Sequence, residues 1–182
     1  MEGWRRGDFY DRTGLTWVNP SPNLRSLTEA LLYPGVGLLE TTNVSVGRGT
    51  DRPFEWVGAP WLDGRRLAGL LREQGLPGVR FVPLRLTPSA SVHKGQECGG
   101  VQVIVDDWSA FRPVRTGLAI AWALHQLYPD AWQVERFDAL LGHRATWDGL
   151  KRGLPWPDLE RSWQADLDQF RERRRPYLLY PD

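Results

Sequence analysis

Residues 79–107, VRFVPLRLTPSASVHKGQECGGVQVIVDD, hold two strand-like segments separated by a polar run. Phe81, Val82, Leu84 and Leu86 supply the apolar positions of the first segment. Pro83 marks it as an edge strand or a bulge, because proline cannot donate to a β-ladder. VQVIVDD reads as the second strand. Just upstream, DGRRLAGLLREQG predicts an amphipathic helix starting at Asp63 and ending at Gly75. Just downstream, residues 112–130, RPVRTGLAIAWALHQLYPD, predict a longer helix with Pro113 in its first turn. Val114, Leu118, Ala121, Trp122 and His125 share one face of it. Strands interleaved with helices point to an α/β fold.

Further upstream, WVNPSPNLRSLTEALLYPG places Asn23 as the cap of a helix carrying Leu24, Leu27, Ala30 and Leu31, stopped by Pro34 and Gly35. VGLLE then reads as a short buried strand ending at Glu40. The next run, ETTNVSVGRGTDRPFE at 40–55, is polar and has little to bury. Beyond Ala131 the chain reads as helical, with Leu159, Trp163, Leu167 and Phe170 at the spacing of one closing helix. The expectation is a single layered α/β domain spanning residues 1–182, with a small mixed β-sheet, several packed helices and a helical C-terminal region.

Composition narrows the function. With 23 basic and 22 acidic residues the formal charge is +1, so no large single-sign field steers this chain onto nucleic acid. Cys98 is the single cysteine, which excludes an internal disulfide and a paired-cysteine zinc site. Three scattered histidines do not make a metal site, and acid-base hydrolysis of a glycoside, which needs only carboxylates and water, would require neither metal nor organic cofactor. The N-terminus lacks an apolar signal-like stretch, and no segment is apolar for long enough to insert in a membrane.

Glu40, Asp51 and Glu55 are the carboxylates of the first polar run. Glycoside hydrolysis ordinarily uses two carboxyl groups, one held protonated as general acid and one ionised. Loop carboxylates equally cap backbone N–H groups or pair with neighbours such as Arg48 and Arg52. Those arginines offer the forked geometry that grips a carboxylate or phosphate, and Gly47 and Gly49 allow close backbone approach. The alternative is a glycine-permitted turn whose arginines hold their own acidic neighbours. His93 is placed to hydrogen-bond a ligand hydroxyl, and Cys98 reads as a small packed hydrophobe. Trp17, Trp56 and Trp61 flank the loop, either as core bulk or as a platform under a sugar ring.

WVNPSPNL at 17–24, ALLYPGVGLLETTNVSVGRGTDRPFEWVGAPW at 30–61, PGVRFVPLRLTPSASVHKGQECGGVQV at 77–103 and AFRPVRTGLAIAWALHQLYP at 110–129 together resemble the C-terminal domain of the bacterial peptidoglycan exo-β-N-acetylmuramidases. The resemblance implies a glycoside hydrolase that releases N-acetylmuramic acid from the non-reducing ends of peptidoglycan fragments. It also implies an N-terminal Rossmann-like half holding the main catalytic groups, absent from this chain, and a periplasmic or secreted setting. On this basis Glu40 and Glu55 are the candidate catalytic residues. Asn23, Asn43, Ser45, Arg48, Thr50, Asp51, Arg52, His93 and Gln96 are the candidate substrate-binding residues. The implied partners are peptidoglycan fragments or muropeptides and that separate first half; a non-catalytic muropeptide-binding module is the alternative. Two positions depart from the family pattern: Thr41 stands where glycine is usual, and Val92 where a lysine is.

Overall fold

A computed structural model describes residues 2–180. Among them, an antiparallel sheet of three strands, β1 (Trp56–Ala59), β2 (Val79–Leu86) and β3 (Cys98–Val105), runs in the order β1-β3-β2. Around it lie helices α1 (Leu27–Val36), α2 (Gly64–Glu73), α3 (Pro113–Leu127), α4 (Asp138–Leu141), α5 (Arg144–Lys151), α6 (Trp156–Arg161) and α7 (Gln164–Arg174). The layered α/β expectation holds, and both strand pairings are antiparallel. Pro83, opposite Val101, sits on the edge strand, where its missing donor leaves the β2–β3 ladder intact. No helix among the described residues is long and apolar enough to cross a membrane.

Asp63 caps α2 by accepting from the amides of Arg65 and Arg66, and Pro113 opens α3. The single apolar face expected for α3 is replaced by burial on nearly all sides. Leu118, Ala119, Ile120, Ala121, Ala123 and Leu124 are all fully buried, and Val114 is exposed. The helix is surrounded by α1, α2, α5 and α6, which requires apolar residues round its whole circumference. α1 reaches it closely because Gly35 and Gly117 face each other, and a Cβ on either would strike the other helix's backbone.

Several local expectations are overturned. Ser26, not Asn23, caps α1 in a reciprocal capping box: its side chain accepts from the Glu29 amide, and Glu29 accepts from the Ser26 amide. Pro34 does not stop α1, since its fixed φ is compatible with the last turn, and the chain runs on into a 3-10 helix at Gly37–Thr41. The VGLLE strand therefore does not exist, and Glu40 projects from a helical turn. The strand in this region is β1, formed from the aromatic stretch after the polar loop. The expected closing helix breaks near Ser162: α6 buries Trp156 and Leu159, whereas α7 buries nothing and leaves Phe170 exposed.

Candidate functional site

The polar run at 40–55 is folded, not slack. Ser45 pairs with Gly58 through two backbone hydrogen bonds of 2.8 and 3.0 Å, laying the run along the outer edge of β1. The Phe54 amide donates to the Val46 carbonyl at 2.7 Å and closes the loop on itself. The second polar run meets it at Gly49, whose carbonyl accepts from both the amide and the hydroxyl of Ser89. Gly49 has φ +79°, and a Cβ there would land on the Ala90 backbone, so close approach of the two loops needs glycine.

These loops and the Ser21–Leu24 turn frame a cavity of about 630 Å³, lined among others by Asn23, Arg25, Thr50, Asp51, Arg52 and Ser89. Four of the expected binding residues thus share one concavity: Asn23, Thr50, Asp51 and Arg52. Thr50 spends its hydroxyl on the Gly47 carbonyl at 2.7 Å while accepting from the Arg52 amide at 3.0 Å. Arg52 reaches Glu55 with one nitrogen at 3.3 Å, leaving most of its fork open. Asp51 is exposed and makes no side-chain hydrogen bond or ion pair among the described residues.

The other expected residues lie elsewhere or are already engaged. Arg48 grips Glu40 through both Nε and Nη2 and stacks over the Phe54 ring, 5.0 Å from its centroid. That hydrogen bonding raises the Arg48 pKa. Asn43 donates to the Ala131 carbonyl at 2.8 Å and accepts from the Gln133 amide at 2.9 Å, clamping its loop to the segment after α3. The His93 ring bonds the Asn43 carbonyl at 2.8 Å, and Ser45 is buried. Gln96 is exposed, with its backbone amide donating to the His93 carbonyl. Cys98 is fully buried, and burial holds its thiol pKa above the ordinary value.

Glu55 stands behind Arg52 with a largely covered side chain. Burial raises its pKa, and the positive charge of Arg52 only partly opposes this. Glu55 contacts the cavity-lining Arg52 without lining the cavity itself, and a raised pKa is one property that a general acid needs. Among the described residues, no three His, Cys, Asp or Glu side chains converge to hold a metal ion.

Sequence reasoning missed Arg25, whose place at the cavity depends on a turn that folds against a loop more than twenty residues away. It also missed a second cavity of about 550 Å³, lined by Trp61, Asp63, Arg65 and Arg85 near the start of α2. Trp61 packs there against Tyr128, centroids 5.2 Å apart. Trp56, by contrast, is core: fully buried, with its indole donating to the Leu84 carbonyl at 3.1 Å.

The chain is 38% identical over 99% of its length to the peptidoglycan β-N-acetylmuramidase NamZ of Bacillus subtilis, covering 44% of that protein. A crystal structure of a DUF1343 family protein from Bacteroides fragilis superposes with a TM-score of 0.89 at 32% identity, over 98% of this chain and 49% of the other. A second DUF1343 protein of that organism gives 0.68 at 26% identity, over 90% and 44%. The chain therefore spans about half the length of these relatives. The family described as exo-β-N-acetylmuramidase NamZ, C-terminal, matches residues 31–180, and the chain belongs to that family.

Proposed function

We propose that this chain forms the substrate-recognition wall of an exo-acting muramidase that releases N-acetylmuramic acid from the non-reducing ends of peptidoglycan. In this reading the main catalytic groups come from a first half like that of its longer relatives. N-acetylmuramic acid differs from N-acetylglucosamine by a lactyl ether bearing a carboxylate, so a selective site needs a cation beside that substituent and hydrogen bonders around the ring. The observation that carries the reading is the cavity beside Arg52, whose fork is mostly unengaged and which shares its walls with Asn23, Thr50 and Asp51. Glu55 is the carboxyl group this chain would contribute to acid catalysis, and Glu40 is occupied by Arg48.

That engagement of Glu40 also favours a second reading, a muropeptide-binding module without hydrolysis. Hydrolysis ordinarily needs two working carboxyl groups, and of the two candidate catalytic residues Glu40 is closed in a bidentate pair with Arg48, which leaves Glu55 alone. Calorimetry with N-acetylmuramic acid and N-acetylglucosamine tests the shared core of both readings. Binding of the muramic sugar about tenfold tighter supports it, with the preference lost in Arg52→Ala. Equal affinity for the two sugars contradicts it. Release of sugar from a chromogenic muramic glycoside separates the enzyme from the binder.

A further inference from the structure

The cavity beside Arg52 has a second cation in its wall. Arg25 follows the Ser21–Leu24 turn and lines the same concavity from the opposite segment of chain. Its guanidinium is positioned from behind: Nη2 reaches Oε1 of Glu29 at 3.4 Å, and Glu29 is buried and locked into the α1 capping box. One long contact leaves the rest of the five-donor fork available. Arg52 is held in the same manner, by one 3.3 Å contact to Glu55. Arg48 differs in kind, because both edges of its fork are closed on Glu40.

Two guanidiniums repel each other in one concavity unless anions stand close by. Glu29 supplies that charge behind Arg25, and the Glu55 carboxyl accepts from Arg52 and lies within electrostatic reach of both arginines. Each arginine thus lines the cavity with one carboxyl contact made and the rest of its fork unpaired among the described residues. Asp51, unpaired in the same wall, is an acceptor for hydroxyls and disfavours a purely anionic ligand such as phosphate. A ligand with one carboxylate and several hydroxyls matches this set.

Resting on the reading above, we propose that Arg25 is a specificity-determining residue, which with Arg52 clamps the lactyl carboxylate of an N-acetylmuramic acid ring in this cavity. The pair divides the work: each guanidinium presents its open edge, and the acid is held between two segments of chain. N-acetylglucosamine, lacking the carboxylate, gains nothing from either arginine.

The test is calorimetry on this chain and its Arg25→Ala and Arg25→Lys variants, with N-acetylmuramic acid and N-acetylglucosamine as separate titrants. The expected result is about a tenfold loss of muramic affinity in Arg25→Ala, partial recovery in Arg25→Lys, and unchanged glucosamine affinity. Wild-type preference for the muramic sugar that survives intact in Arg25→Ala overturns the clamp and leaves the site reading standing. Equal weakening toward both sugars also overturns it, since that assigns Arg25 a structural role. Absence of any preference in the wild type fails the site reading, and the clamp with it.

Discussion

The carbonyl oxygen of Gly49 accepts two hydrogen bonds from Ser89, one from the amide at 2.8 Å and one from the hydroxyl at 2.7 Å. This single acceptor joins the two polar loops and fixes one rim of the cavity. Three residues of the cavity wall, Thr50, Asp51 and Arg52, follow directly on Gly49 at that junction.

Gly49→Ala is expected to destabilise the protein by about 2–4 kcal/mol, because strain at positive φ adds to a collision with the Ala90 backbone. Gly95 provides the control: its φ is +74°, yet a Cβ there meets nothing within 4 Å, so Gly95→Ala should cost only about 1 kcal/mol. Urea unfolding of both variants checks this. Equal losses would show that the loop junction is not tight.

The Arg48–Glu40 pair is expected to act as a strut, not as a ligand contact. A double-mutant cycle with Arg48→Ala and Glu40→Gln should give a coupling of about 1–2 kcal/mol, between the values of exposed and buried pairs. Arg48→Ala should leave the ratio of muramic to glucosamine affinity unchanged. A ratio that collapses would return Arg48 to the binding set.

Glu55 should make stability depend on pH in a definite direction. Burial raises its folded-state pKa, so its stabilising contribution is fully present below the unfolded-state value and is lost as pH rises through the folded-state value. Glu55→Gln cannot ionise and escapes that loss. The melting temperature of Glu55→Gln relative to wild type should therefore climb from acid to neutral pH. The opposite trend would mean that the neighbouring arginines outweigh desolvation.

Much of this fold is legible in the sequence wherever a local signal and the tertiary environment agree. Asp63 before an apolar period, Pro113 at a first turn and Pro83 on an edge strand all behave as their chemistry dictates. The exceptions have specific physical causes. VGLLE is a short apolar run, and such a run has no period that separates a strand from a buried helical turn. β1 is buried at all four positions, so it shows no alternation. Ser26 and Glu29 fit the capping-box spacing, but Asn23 after two prolines is the more conspicuous local cap candidate. Thr41, one of the two departures from the family pattern, fits the 3-10 turn with its hydroxyl buried and unpartnered. At the site, the arginine-bearing loop was readable but the division of labour among its arginines was not. Whether a guanidinium is spent on Glu40 or left open to a cavity depends on contacts between distant segments.

The most direct test is to titrate isotopically labelled chain with N-acetylmuramic acid and follow the backbone amide resonances. The expected result is a contiguous set of shifts at Asn23, Arg25, Gly49 to Arg52 and Ser89, with the Trp61 and Arg65 cavity unaffected. Shifts confined to Trp61, Arg65 and Arg85, or none at all, would contradict the assignment of the acidic amino sugar to the cavity beside Arg52.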